Sequence, residues 1–283
     1  MAKVYRGTLR DSHIRVFYAT SSDIANEVAR RFDASYLVKQ LLARFIPMGL
    51  ILQEKQKQGW ITVKLKGDGE VGNVELECNE QGETRVYVQN PKVEYDGEDF
   101  LNIAKAIGQG TLEVIKDFDM KQRFTSSVEL VTSKIGEDFA QYFKESEQID
   151  SLVVVGSSFE DDGKIHTSNA LVFEMLPDAT EEDYNYMDNI VIPSLRMIEE
   201  NGIPEMLKQF FGVEVLSTTD YKFKCHCSLD RVISSLASLG EKEINDMIDS
   251  KERFEIVCNF CNQKYLITEV ELKEALAIRH KKC

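Results

Sequence analysis

Hydrophobic and polar positions follow two different periods between Val4 and about Val172. Alternation with a period of two predicts β-strands at 13–19, 60–66, 71–78, 84–89, 111–117, 124–132 and 150–158. A period of about 3.6 predicts helices at 23–31, 35–53 and 133–145. Short polar turns, such as the one at 79–82, join neighbouring strands and favour antiparallel hairpins. We therefore predict an α+β domain over residues 1–173, with helices and a hairpin-rich mixed sheet.

The composition changes between Glu174 and Glu205, where nine acidic residues accompany one basic residue and three of the chain's five prolines. Thr180 and Asp183 have the spacing of a capping box, which predicts the start of a helix. Pro193 interrupts the apolar stripe of this helix and removes a backbone donor, at a cost of about 3 kcal/mol. We predict an acidic, metastable helical linker over residues 174–220.

Residues 221–283 are predicted to form a separate small domain. Its helices lie at about 228–239 and 241–249, followed by a strand at 253–257 and a last helix that starts at Thr268. Ser228 is the expected N-cap of the first helix, and Glu271 completes a capping box with Thr268. A domain of about sixty residues is marginally stable when it has only a hydrophobic core.

Four of the six cysteines form two close pairs, Cys225-x-Cys227 and Cys258-x-x-Cys261, with thirty residues between the pairs. Two tight turns that each supply two sulfurs are what a tetrahedral Zn²⁺ ion requires. The spacing therefore predicts a closed structural zinc site, with one ion per chain and these four cysteines as ligands. His226 is a possible substitute ligand, although an exposed position is the simpler expectation. Cys78 and Cys283 have no partner in sequence, and Cys78 is expected to be a packed strand residue.

The charge balance restricts the choice of partners. The net charge is -14, from 48 acidic and 34 basic side chains, which repels nucleic acid and anionic lipid. The N-terminal segment has no apolar run of signal-peptide length, and the longest apolar run, Phe45 to Leu52, is too short to cross a bilayer. We expect a cytoplasmic protein that binds neither nucleic acid nor membrane.

One motif suggests an unrelated function. Gly67, Gly69 and Gly72 spell G-x-G-x-x-G, the pattern of a dinucleotide-binding loop. That loop must lead into a helix, which receives the pyrophosphate. The residues that follow, 73–77, alternate as a strand instead, so we interpret these glycines as a turn between two strands.

Several segments resemble the 33-kilodalton redox-regulated heat-shock chaperones of bacteria. The most specific segments lie in the tail, FKCHCSLDRVISSLASLGEKEINDMI and VCNFCNQKYLIT, which keep the cysteine spacing of that family. Upstream, the similar segments are GDGEVG, YVQNP, GQGTLEVIKD, GEDFAQYFKESEQ and LPDATEED. The resemblance extends over nearly the whole chain.

The resemblance implies an ATP-independent holdase, not an enzyme, that is inactive and monomeric when it is reduced and loaded with zinc. Oxidation is then expected to form the disulfides Cys225–Cys227 and Cys258–Cys261, release zinc and unfold the tail and linker. The active form is expected to be a homodimer that binds unfolded client proteins. The expected client contacts are the apolar side chains of a short helix in the linker: Met206, Leu207, Phe210 and Phe211.

Two other classes of function remain open at this stage. A thiol oxidoreductase would use the C-x-x-C pair catalytically, although a set of four cysteines argues against this role. A zinc-ribbon binding module would hold a purely structural ion and would not respond to oxidants that spare the metal.

Overall fold

The computed structural model describes residues 1–99, 101–118, 123–191 and 212–282. The chain divides into two compact units, Met1–Lys224 and Cys225–Cys283. The predicted α+β class, with a large mixed sheet, helices and a C-terminal cluster of four cysteines, is confirmed.

The described residues of the first unit contain ten strands in one sheet. In chain order, the strands are β1 (Ala2–Leu9), β2 (Ile14–Thr20), β3 (Trp60–Gly67), β4 (Asn73–Asn79), β5 (Glu83–Val88), β6 (Gly110–Asp117), β7 (Arg123–Glu129), β8 (Ser151–Phe159), β9 (Ile165–Met175) and β10 (Val213–Phe223). Their order across the sheet is β7-β6-β3-β4-β5-β10-β1-β2-β9-β8. Every neighbouring pair is antiparallel except β5 and β10, which run parallel, so the sheet is mixed.

The described helices of this unit are α1 (Ser22–Phe32), α2 (Tyr36–Gln56), α3 (Ile103–Ile107), α4 (Gly136–Ser146) and α5 (Glu181–Tyr186), with a 3-10 turn at Gly97–Asp99 and a π turn at Met187–Val191. Helix α2 is the centre of the core, because residues on all its sides are buried against the sheet and α1. An apolar helix of this kind is stable only inside a domain. A Cβ atom at Gly49 would lie 2.6 Å from Leu76, so the glycine lets α2 approach β4 closely.

Three strands of the sheet were not predicted from the sequence. In β1 the alternation is broken by a register shift between Arg6 and Gly7. The second half of β9 is buried on both faces, so it reads as a continuous apolar run instead of an alternating one. Strand β10 is mostly half-buried or exposed and gives little hydrophobic signal.

Strand β10 corrects the C-terminal part of the predicted helical linker. Residues 213–220 are extended and pair with β1, since Val213 lies opposite Leu9 and Asp220 opposite Lys3. At the other end of the predicted linker, the capping box is present: the Thr180 hydroxyl accepts a hydrogen bond from the backbone N–H of Asp183. Residues 192–211, which include Pro193, lie outside the described residues.

The glycine motif forms a turn between strands, as interpreted from the sequence. Strand β4 follows Gly72 directly, so no helix is available to hold a pyrophosphate. The glycines let the chain pass under α3, because a Cβ atom at Gly67 would lie 1.9 Å from the carbonyl oxygen of Ile107. These contacts explain the motif without a nucleotide.

The second unit is small. Its elements are α6 (Leu229–Leu236), α7 (Glu241–Ser250), the hairpin of β11 (Phe254–Val257) and β12 (Lys264–Ile267), and α8 (Glu269–Lys282). The Ser228 side chain caps α6 by accepting a hydrogen bond from the backbone N–H of Arg231 at 3.2 Å, as predicted. The core of this unit has seven buried side chains: Ile233, Leu236, Ala237, Ile244, Ile267, Leu272 and Ala275.

Candidate metal centre

The first cysteine pair lies in the short segment that connects β10 to α6. Strand β10 ends at Phe223, two residues before Cys225, and Cys227 directly precedes the N-cap Ser228. The capping bond ends the extended chain and starts the helix at this point. Cys225 and Cys227 are therefore held at the entrance to α6, where both are half-buried.

The second pair lies in the tight turn of the β11–β12 hairpin. The backbone N–H of Asn262 donates to the carbonyl of Cys258 at 2.8 Å, and the N–H of Cys258 donates to the carbonyl of Gln263 at 2.9 Å. Asn262 has φ of 58°, a left-handed conformation that asparagine tolerates better than most residues. These bonds fold the turn back so that Cys258 and Cys261 lie close together.

The fold brings the four cysteines into one cluster. All four Sγ atoms lie within 4.8 Å of one another. The separations are 3.7 Å between Cys225 and Cys258, and 3.3 Å between Cys227 and Cys261. A tetrahedral ion with Zn–S bonds of about 2.3 Å needs sulfurs about 3.8 Å apart. An all-sulfur donor set at this spacing could hold a metal ion and is compatible with zinc.

The electrostatic environments of the sulfurs differ. Desolvation by burial raises the pKa of the thiols of Cys225 and Cys261 above the ordinary value. The pKa of Cys227 is lowered, because desolvation is outweighed by hydrogen bonds to its sulfur from Tyr265 and from the other cysteines. The four sulfurs are therefore not equivalent in their surroundings, although all belong to cysteines.

Tyr265 belongs to the site, although the sequence analysis missed it. Its hydroxyl on β12 donates to the Cys227 Sγ at 3.1 Å. The two residues are 38 positions apart, and a tyrosine after a C-x-x-C pair is not a recognised ligand pattern. Hydrogen bonds from neighbouring groups orient metal ligands and change their basicity. The Tyr265 hydroxyl is in a position to act on the Cys227 sulfur in this way.

The remaining chemically notable residues lie outside the cluster. His226 is half-buried, not exposed as expected, and is not one of the four grouped residues. Cys78 is fully buried on β4 with its Sγ 3.1 Å from the Thr84 hydroxyl, and burial raises its thiol pKa to about 12. Cys78 is therefore an unreactive packed thiol. Cys283 and the predicted client contacts Met206, Leu207, Phe210 and Phe211 lie outside the described residues.

The described cysteines are all free thiols. Four clustered thiols can bind a soft divalent ion as thiolates or lose electrons in pairs to form disulfides. Both reactions use the same sulfurs, so the two states exclude each other. The fold and the cluster thus define a class of protein with a large mixed-sheet unit and a small C-terminal unit that carries four clustered cysteines able to hold a metal ion.

Comparisons with known proteins identify the family within this class. Residues 2–268 match the family described as Hsp33 protein. The 33 kDa chaperonin of Bacillus velezensis is 35% identical over 277 residues, covering 93% of this chain and 94% of that protein. The 33 kDa chaperonin of Bacillus subtilis is 34% identical over 276 residues, with the same coverage. The crystal structure of the 33 kDa chaperonin from Thermotoga maritima superposes with a TM-score of 0.87 at 29% identity, covering 99% of each chain.

The chain therefore belongs to the Hsp33 family, as the sequence resemblance indicated. None of the helices in the described ranges is long and apolar enough to cross a membrane.

Proposed function

We propose that this protein is a redox-regulated, ATP-independent chaperone of the holdase type. It protects unfolding proteins from aggregation under oxidative and heat stress, and it is inactive while reduced and loaded with zinc. Membership of the Hsp33 family, whose relatives are named 33 kDa chaperonins, supports the chaperone role. The observation that carries the regulatory part is the cluster of four Sγ atoms within 4.8 Å of one another.

In the reduced state, Cys225, Cys227, Cys258 and Cys261 would hold one zinc ion. The bound ion supplies a cross-link between the segment before α6 and the β11–β12 hairpin. The second unit depends on this link, because its core of seven buried side chains is small for 59 residues.

Oxidation removes the ligands. For each disulfide, two thiolates and two protons react with one hydrogen peroxide: an S–S bond forms, the O–O bond breaks and two waters leave. A cysteine binds a divalent ion as a negatively charged thiolate. A disulfide sulfur has no such charge, so the metal is released. The proposed pairs, Cys225–Cys227 and Cys258–Cys261, follow from the family resemblance. All four sulfurs lie within 4.8 Å of one another, which supports disulfide formation within the cluster.

Loss of the metal would unfold the second unit and destabilise the acidic linker. The apolar residues Met206, Leu207, Phe210 and Phe211 would then become available to unfolded clients, and the active form would be a homodimer. In this proposal the domain of residues 1–173 binds clients and forms the dimer, and residues 221–283 are the redox switch. We further propose a cytoplasmic protein without enzymatic activity or a nucleic-acid partner, in line with its net charge of -14.

The test combines zinc release with chaperone activity. Hydrogen peroxide with mild heating is expected to release about one zinc per chain and to produce suppression of client aggregation without ATP. The zinc-loaded, reduced protein should not suppress aggregation. Zinc release without suppression would refute the proposed function. Turnover in a disulfide-reductase assay would favour a thiol oxidoreductase, and indifference to oxidant would favour a structural zinc module.

A matched pair of variants locates the switch. Cys258→Ser removes one sulfur of the cluster, whereas Cys78→Ala removes a buried thiol that lies outside it. We expect Cys258→Ser to bind zinc weakly and to lose redox control. The Cys78→Ala variant should release zinc and gain activity as the parent protein does.

A further inference from the structure

The Tyr265 side chain is placed so that its hydroxyl points at one sulfur of the cluster. Tyr265 lies on β12 opposite Ile256 of β11, and its ring packs against the core of the second unit. Its hydroxyl donates to the Cys227 Sγ at 3.1 Å. Because the ring is packed and its strand is paired, the direction of the hydroxyl is determined by the fold.

This contact distinguishes Cys227 from its neighbour in the first pair. Cys225 contacts the sulfur of Cys258 at 3.7 Å, and no tyrosine, serine or threonine hydroxyl in the described part of the chain donates to Cys225. The cluster is therefore asymmetric, although the four ligands are of the same residue type. A sulfur that accepts a hydrogen bond from a hydroxyl differs in reactivity from a sulfur that does not.

A hydrogen bond from a hydroxyl to a thiolate withdraws electron density from the sulfur lone pairs. The thiolate then attacks an electrophile more slowly, since the bond must be weakened as the negative charge leaves the sulfur. The same bond orients the sulfur toward the metal position. Such neighbouring groups typically change metal affinity by about 10-fold to 100-fold.

We propose that Tyr265 is a positioning residue that shields the Cys227 sulfur from oxidants and raises the zinc affinity of the cluster. This inference rests on the proposed function and deepens it, because it sets how much peroxide is needed to open the switch. The shielded step is the attack of the Cys227 thiolate on hydrogen peroxide. In that step an S–O bond forms, the O–O bond breaks, and the leaving hydroxide is protonated to water, so that a sulfenic acid remains.

The test uses Tyr265→Phe in the full-length chain. This variant keeps the packed ring and removes only the hydroxyl, and Tyr5→Phe, in the first unit, is the matched control. Two quantities are measured: the zinc dissociation constant of each reduced protein by competition with a chelator, and the alkylation rate of each cysteine by mass spectrometry in the zinc-loaded, reduced form, in which the ligand sulfurs are already thiolates. Global unfolding would accelerate alkylation of both cysteines. The ratio of the Cys227 rate to the Cys225 rate therefore corrects for it.

In Tyr265→Phe we expect the Cys227-to-Cys225 ratio to rise several-fold, and the zinc dissociation constant to rise about tenfold. The Tyr5→Phe control should change neither. Site-specific 3-fluorotyrosine at position 265, whose hydroxyl is a stronger donor, should lower the ratio below that of the parent protein. A purely structural role of the ring would not produce this graded response.

An unchanged ratio in Tyr265→Phe would overturn the inference. Equal acceleration at all four cysteines would also overturn it, because the tyrosine would then act only through the stability of the unit. If the parent protein failed to gain chaperone activity on oxidation, the proposed function would fall. The alkylation ratio would still decide whether Tyr265 shields Cys227.

Discussion

Removal of the metal is expected to unfold the second unit while the first unit stays folded. The perturbation is chelation of the reduced, zinc-loaded protein, or Cys258→Ser as its genetic equivalent. The two units differ strongly in their own cores: the main cluster of the first unit is built around the buried helix α2, whereas the apolar core in the described part of the second unit consists of seven buried side chains.

The magnitude follows from the size of the second unit. Net stability is about 0.05–0.15 kcal/mol per residue, which gives about 3–9 kcal/mol for Cys225–Cys283. Zinc binding to thiolate sites of this kind contributes about 10–16 kcal/mol in apparent terms near neutral pH. The contribution of the metal therefore equals or exceeds the whole stability of the unit, and its removal should leave the folded state less stable than the unfolded state.

Hydrogen–deuterium exchange measured by mass spectrometry separates the two units. After chelation, amides in α6, α7 and α8 should exchange within seconds, while amides in α2 and β3 should stay protected. Far-UV circular dichroism should show partial loss of helix, and added Zn²⁺ should reverse it. The Cys78→Ala variant serves as control, because its zinc cluster is intact. If metal-free, reduced protein keeps α6 and α7 protected, the reasoning that links the metal to the fold is wrong.

Three further predictions concern carboxylates and an ion pair in the first unit. Asp138→Ala should lower the free energy of unfolding by about 3 kcal/mol in urea denaturation, because this buried carboxylate accepts four backbone N–H bonds before α4. Desolvation would raise the pKa of Asp183, but hydrogen bonds from Thr180 and His13 outweigh it and hold the pKa at about 2. The carboxylate therefore stabilises the folded form above pH 4. As the pH falls from 4 to 2, the free energy of unfolding should decrease by about 2 kcal/mol, and Asp183→Asn should lack this pH dependence. Lys55→Ala should cost about 3 kcal/mol by thermal or chemical unfolding, because the buried Glu174 would keep only the more distant Arg15 as a counter-ion. An unchanged stability would contradict the ion-pair assignment.

Local sequence patterns were sufficient for much of the second unit. The spacing of Cys225, Cys227, Cys258 and Cys261 predicted a cluster because each close pair needs only a tight turn to present two sulfurs on one side. The caps at Ser228 and Thr180 were predicted because a capping bond joins residues three positions apart. Such features depend on neighbours in the chain and are visible in the sequence.

Other features depend on distant segments. The sequence predicts strand β10 as part of a helical linker, because its acidic and threonine-rich pattern does not show that β1 and β5 lie on either side of it. The register shift between Arg6 and Gly7 of β1 is likewise defined only by the pairing of β1 with β10. Strand pairing joins residues far apart in sequence. The burial that stabilises each pair of strands depends on the rest of the sheet.

By itself, the sequence determined the class of fold, the family, and the four sulfurs that lie together, since these follow from periodicity, spacing and local capping. Only the tertiary structure decided that β10 closes the middle of the sheet and that the hydroxyl of Tyr265 reaches Cys227 from 38 positions away. The physical reason is the range of the interactions. Turns and helices are set by bonds between near neighbours, whereas the environment of each sulfur is set by whichever side chain the folded core places beside it.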